Sequence, residues 1–233
     1  MPNACRPAPN PPTAPRRTGP ACRPAARALG AVAAVCALAA GLTGLAQPAI
    51  AGTLEVQVSD GAGKPLPGAV VFLESPEAKA AAKPAVGVEL GQAKRQFSQA
   101  VTVVPVGTAV NFPNRDTVRH HVYSFSAVKK FEIKLYVGTP AAPVVFDQPG
   151  IAVLGCNIHD NMAAWVVIVE TPLYGLTGAD GRLALPAVPA GSYQLRTWHP
   201  ALAPGAPALA QPLQVPAGGG AASAAVKMAG LAP

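Results

Sequence analysis

IAVLGCNIHDNMAAWVVIV, residues 151–169, reads as strand, loop, strand. Ile151 to Leu154 and Ala164 to Val169 are short, apolar and rich in β-branched residues, as strands in a sandwich core are. Between them, Gly155-Cys156-Asn157-Ile158-His159-Asp160-Asn161-Met162 sets Cys, His and Met in C-x2-H-x2-M spacing. Three donors of different softness on one loop between two strands are able to wrap a single ion.

Strands of the same kind precede this loop: Val86 to Leu90, Ala100 to Val104, Ala109 to Phe112, His121 to Phe125 and Val144 to Phe146. Short strands separated by turn residues predict a Greek-key sandwich. Composition points the same way, since 27 Pro and 23 Gly with only 5% aromatics argue against long helices. The expected class is all-β.

More strands lie outside the middle block. Leu54 to Val58 and Gly68 to Glu74 come before it, and Arg182 to Leu185, Ser192 to Trp198 and Ala221 to Met228 follow it. Asp60-Gly61, Asp180-Gly181 and Ala190-Gly191 supply turns. Ser75 to Pro84, rich in Ala, Lys and Pro, reads as a linker or surface loop.

The first 51 residues carry Arg6, Arg16, Arg17, Arg23 and Arg27 without an acid, then the apolar run Leu29 to Leu45, then Ala49-Ile50-Ala51 before Gly52. This is the pattern of a secretory signal peptide, and Sec export to the periplasm with cleavage after Ala51 is expected. The run is interrupted by Gly41 and Gly44 and is too short and too weakly hydrophobic for an anchor, so no stable membrane insertion is expected afterwards.

Cleavage changes two inferences. Five of the 18 basic residues leave, so 13 face 11 acids where the whole chain has a net charge of +7, and a nucleic-acid partner loses its support. Cys5, Cys22 and Cys36 leave too, so Cys156 stands alone and no internal disulfide is possible. A lone thiol in an oxidising compartment is either buried and inert or committed to a ligand.

Copper cycling between two oxidation states needs ligands that suit both, and a thiolate, two imidazoles and a weak thioether meet that need. The second imidazole must come from a neighbouring strand, and NRDTVRHHVYSF, residues 114–125, offers His120 and His121. Successive strand residues point to opposite faces, so one of the two faces the loop. His120, six residues after Asn114, is the expected ligand. A binuclear copper centre needs a second thiolate, and structural zinc takes more Cys or His and no Met. Cys156 beside His159 also has the parts of a nucleophilic pair, but Met162 and the second histidine fit a metal better, and no enzyme activity is expected.

The stretch Val86 to Val169 resembles the plastocyanin and amicyanin group of cupredoxins, among whose relatives some carry a methylamine-utilisation label. The resemblance lies in an Asn, a His six residues later before an apolar alternation, the Gly107 turn after VTVVPV, Phe112, and the C-x2-H-x2-M loop. It implies one type 1 (blue) copper held by His120, Cys156, His159 and Met162, and single-electron exchange with protein redox partners that the sequence does not name. His121 stands where this group often has Asn, and Asp160-Asn161 replaces more apolar residues, departures that bear on potential and docking surface.

VQVSDGAGKPLPGAVVFLE, residues 56–74, followed by TGADGRLALPAVPAGSYQL, residues 177–195, resembles a carboxypeptidase regulatory-like sandwich. The implied organisation is a signal peptide over 1–51, a small Ig/transthyretin-like β-sandwich from 52–83 plus 171–229, and a cupredoxin domain at 84–170 inserted into it. The plainer alternative adds Leu54 to Glu74 to the cupredoxin as extra strands. Two further functions stay open at this level: copper storage or delivery, and a non-redox β-sandwich binding module.

Overall fold

The structure, a computed structural model, describes residues 52–232, and the expected signal peptide lies outside them. In chain order the elements are β1 (Gly52–Asp60), β2 (Val70–Glu74), α1 (Pro76–Ala81), β3 (Val88–Glu89), β4 (Gln92–Ala93), β5 (Gln96–Phe97) and β6 (Val101–Pro105). Next come β7 (Thr108–Asn111), β8 (His120–Ser126), β9 (Lys129–Tyr136), β10 (Val144–Phe146), β11 (Gly150–Gly155) and β12 (Ala163–Val169). The chain ends with β13 (Tyr174–Leu176), β14 (Arg182–Val188), β15 (Gly191–Trp198), β16 (Leu209–Val215) and β17 (Ala222–Met228). The protein is all-β, and no described helix is long and apolar enough to cross a membrane.

The strands sort by sequence position. Flanking strands make two sheets, ordered β14-β1-β17 and β13-β2-β15-β16, while central strands make β10-β7-β3, β6-β12-β11-β8-β9 and the hairpin β4-β5. Alternation along β1, whose even-numbered residues Leu54, Val56 and Val58 are buried, aims one face at Leu73, Leu195 and Val226 in a flanking core. A central core gathers Leu90, Phe112, Val122, Phe146, Leu154 and Ile168. A third cluster, with Val70, Phe72, Val167, Val169 and Trp198, joins the two sets of strands.

Contacts across the central block tie the flanking segments together. The Thr177 hydroxyl donates to Leu66 O at 2.6 Å and accepts from Ala69 N at 2.9 Å. Gly181, at φ +72°, approaches Val58 so closely that a Cβ would lie 2.5 Å from the Val58 carbonyl oxygen, which leaves room only for glycine.

Three elements depart from the expected pattern. Ser75 to Pro84 is not all loop: Pro76–Ala81 is helical, with the Ser75 Oγ accepting from Ala78 N at 3.1 Å, Pro at the helix start and Glu77 in the first turn. Those are helix-start signals that the Ala, Lys and Pro content masks. β9, KKFEIKLY, is a further strand, alternating as far as Lys134 and losing the alternation at the exposed Leu135, opposite the register shift in β8. β16 carries Pro212 inside a strand at the edge of its sheet, where a missing N–H costs no ladder bond.

Candidate metal centre

β11 and β12 pair from Gly150↔Ile168 to Gly155↔Ala163, so residues 156–162 form the loop that closes this hairpin. One tight turn within it brings Met162 N to 2.9 Å from His159 O. β8 lies beside β11, with Tyr123 opposite Gly155, and the start of β8 thereby comes against the loop. There the Cys156 Sγ sits 3.9 Å from His120 Nδ1 and 3.8 Å from His159 Nδ1. All three donor atoms lie within 4.8 Å of one another.

Those separations suit one shared ion. Metal bonds to imidazole and thiolate run about 2.0–2.3 Å, so two donors on one ion stand roughly 3.5–4 Å apart. The three residues therefore fit a single metal ion. His120 is fully buried, Cys156 is 4% exposed and His159 is partly exposed. Met162 is buried in the same apolar cluster as Cys156.

His120 is set from behind. Its Nε2 lies 2.7 Å from Asp116 Oδ2, and Asp116 in turn accepts from the backbone N–H groups of Lys94 at 2.6 Å and Arg95 at 2.9 Å. Lys94 and Arg95 form the two-residue turn between β4 and β5, with φ +54° and +58°, the conformation that points successive N–H groups outward at one acceptor. The Arg95 N–H foremost, then His120, then Lys94 N–H, hold the Asp116 carboxyl down at about 2. An ionised carboxylate only accepts, so Nε2 faces it as the donor, and in the neutral ring this leaves Nδ1 as the nitrogen that would ligate an ion beside the thiol.

Asn114 fixes the approach to this loop. Its Nδ2 donates to Val118 O at 2.8 Å and to Tyr136 O at 2.9 Å, and its Oδ1 accepts from Asp116 N at 2.9 Å. Tyr136 is partly buried, its hydroxyl donating toward Phe112 O at 2.7 Å and Gln92 Oε1 at 2.9 Å, and burial first, then the nearby Cys156 charge, pushes its phenol up.

Of the two adjacent histidines, His120 lies with Cys156 and His159, while His121 turns to Glu132, Nε2 to Oε1 3.0 Å. A register shift between His120 and Val122 marks a bulge at this point in the β8–β9 ladder. His199 lies apart, Nε2 near Pro67 O and Nδ1 accepting from Ala201 N. Among the basic residues of the central block, Lys129 pairs with Asp147 and Arg115 with Glu89. Sequence reasoning missed Asp116 and Tyr136; an acid four residues before a candidate ligand is the signal for the first, and nothing in the sequence ties Tyr136 to this place.

No protein-family model and no curated protein sequence matches the chain. Among solved structures, a P52G variant of amicyanin in its reduced Cu(I) form is similar at 22% identity and TM-score 0.34, over 42% of this chain and 98% of that one. A purple cupredoxin from Nitrosopumilus maritimus matches at 19% identity and TM-score 0.32, over 35% of this chain and 99% of that one. A copper-containing nitrite reductase from Thermus scotoductus matches at 23% identity and TM-score 0.34, over 48% of this chain and 28% of that one.

Proposed function

We propose that the mature chain is a periplasmic type 1 copper protein that carries single electrons between protein partners and is not itself an enzyme. His120 and His159 would hold the ion through Nδ1, Cys156 through its thiolate, and Met162 would add a weak thioether donor. The proposal includes export by the leader that ends at Ala51, and a cupredoxin domain at 84–170 within a flanking sandwich from 52–83 plus 171–229. The observation that carries it is the meeting of a buried lone thiol with two imidazole Nδ1 atoms at 3.8 and 3.9 Å.

Copper bound there supplies a reversible one-electron couple. The rest is the chain's work. Asp116 fixes the tautomer and orientation of His120, the strand ends hold Cys156 and His120 in place, and burial keeps water from the sulfur. A thiol engaged by a metal is also removed from the oxidation that threatens a free one.

The test is to purify residues 52–233, titrate with Cu(II), and record metal content and visible absorption. One copper per chain with an intense blue band is expected. A colourless protein that retains Cu(I) would favour storage or delivery, and a chain that retains no copper would leave the binding-module reading.

A further inference from the structure

The flanking and central strands stack sheet on sheet, with Phe72 and Trp198 buried against Val167 and Val169. Alternation along β15 puts Gln194 and Arg196 on the same face as Trp198, and they pair with Glu74 and Phe72 of β2. At these residues the stack opens into a cleft of about 290 Å³. Phe72 and Trp198 of the flanking strands and Ile151 and Val167 of the central ones give it apolar walls. Its charged groups are Arg196, Glu74 and Glu170. Apolar walls with a few convergent polar groups, set between two packed sheets, are the usual make-up of a small-molecule site.

These charged groups do not satisfy one another. Arg196 Nε is buried without a hydrogen-bond partner, and Glu74 Oε2, with which it pairs, is 3.8 Å away, beyond hydrogen-bond reach. A buried donor left without an acceptor costs free energy, more so when it is charged. Glu170 is bridged to Lys79 of α1 at 2.7 Å. Two acids and two bases therefore meet at the cleft and cancel. Glu74 and Glu170 also line a wider groove of about 850 Å³ that continues past Gln194 and Gln214. A simple anion beside Arg196 would face Glu74, and a simple cation beside Glu74 would face Arg196. A ligand that carries both charges side by side avoids both repulsions.

We propose that this cleft binds a free α-amino acid with an apolar side chain. The ligand carboxylate accepts from Arg196 and supplies the partner that Nε lacks, the ammonium donates to Glu74, and the side chain enters between Phe72, Ile151 and Trp198. The long Arg196–Glu74 pair is thereby bridged by the two adjacent charges of the zwitterion. A residue inside a polypeptide has neither charge, so the site selects a free amino acid over protein chains in general. No residue of the cleft belongs to the metal loop, and the proposal does not depend on the copper reading.

Isothermal titration calorimetry of the purified protein with L-leucine and L-phenylalanine tests this. One saturable site per chain is expected for each. N-acetyl-L-leucine, which lacks the ammonium, and L-leucinamide, which lacks the carboxylate, should bind at least about tenfold more weakly, as the loss of a charged hydrogen bond implies. L-Glutamate and L-lysine, whose side chains would bring a third charge against the apolar walls, should bind more weakly than leucine as well. Arg196→Gln should weaken leucine and remove its advantage over leucinamide, while Glu74→Gln should remove its advantage over N-acetyl-leucine. A merely structural role for either residue would weaken every ligand alike. If Arg196→Gln does not fold, the blocked ligands still decide the matter on the wild-type chain. No saturable binding of either amino acid at millimolar concentration, or blocked forms that bind as well as leucine, overturns the proposal and leaves a cleft that holds only water.

Discussion

The central and flanking strands build cores of different chemistry. The flanking core is a run of Leu, Val, Ala, Tyr and Met, and its neighbouring buried polar side chains are threonines, Thr171, Thr177 and Thr197. The central strands bury His120, His121, Gln92, Asn114, Thr102, Thr108 and Ser124 alongside Cys156 and Met162. Burying a polar atom without a hydrogen bond costs free energy, and among the described residues each half has two such atoms: Gln92 Nε2 and His121 Nδ1 in the central strands, Arg196 Nε and Thr197 Oγ1 in the flanking ones. The halves differ in kind instead. The flanking one buries hydroxyls, while the central one buries imidazoles, amides and a thiol, and on the copper reading it uses them to hold donors in position.

The largest expected effect removes the soft donor. Cys156→Ser should abolish the blue band altogether, because a hydroxyl neither ionises readily nor has sulfur's softness, while the copper-free fold survives a change of one buried atom. The adjacent histidines should divide in the same assay: His120→Ala loses the band, and His121→Ala keeps it. Retention of colour in Cys156→Ser would remove the chemical contrast between the halves.

A cavity in the flanking core sharpens the contrast from the other side. Leu54 is fully buried there, and Leu54→Ala should cost about 2–5 kcal/mol of unfolding free energy, read by denaturant titration. The blue band and the reduction potential should not move, since sites that share no partners act independently. A band that fades in step with the lost stability would mean that the flanking strands help hold the metal centre.

How much of this could be read from the chain depends on whether the signal was local. The hairpin of β11 and β12 and the Cys-His-Met loop that closes it were legible because strand, loop and strand are contiguous, and the all-β class followed from turn residues and short alternations. That His120 meets Cys156 and His159 was reachable because the period of two along β8 turns one of the two histidines to the loop and the spacing from Asn114 picks that one. Asp116 was not found, although it lies four residues before His120, because its role depends on the Lys94–Arg95 turn more than twenty residues earlier. Tyr136 was hidden for the same reason: it is an ordinary strand residue until the sheet sets it against Gln92. The α1 helix was missed for a different reason, since six residues are too few to show periodicity and only Ser75 and Pro76 announce it.

Asp116 offers an intermediate test of the claim that the central half spends its polar groups on positioning. Asp116→Asn keeps the size of the side chain but replaces an acceptor-only oxygen pair with one oxygen and one amide, which competes with His120 Nε2 as a donor. Copper affinity is expected to fall about 10- to 100-fold, the usual cost of losing a partner behind a ligating histidine, measured by competition with a chelator. An affinity equal to wild type would reduce the carboxylate to a tie for the β4–β5 turn.

The smallest expected change concerns Met162, which is 2% exposed and packs in the apolar cluster of the central core. By packing alone it is a core residue; by sequence spacing it belongs with the donors. Met162→Leu separates the two, because the swap conserves volume and costs less than about 1.5 kcal/mol in a well-packed core. The protein should therefore fold, bind copper and stay blue, since Cys156 supplies the strongest bond and the charge that offsets Cu(II). What should change is the reduction potential, which rises when a thioether that donates electron density to Cu(II) is lost. Equilibrium redox titration of the variant beside wild type reads this directly. A potential identical to wild type would mean that Met162 is core filler, and that the central half reaches the metal with three side chains rather than four.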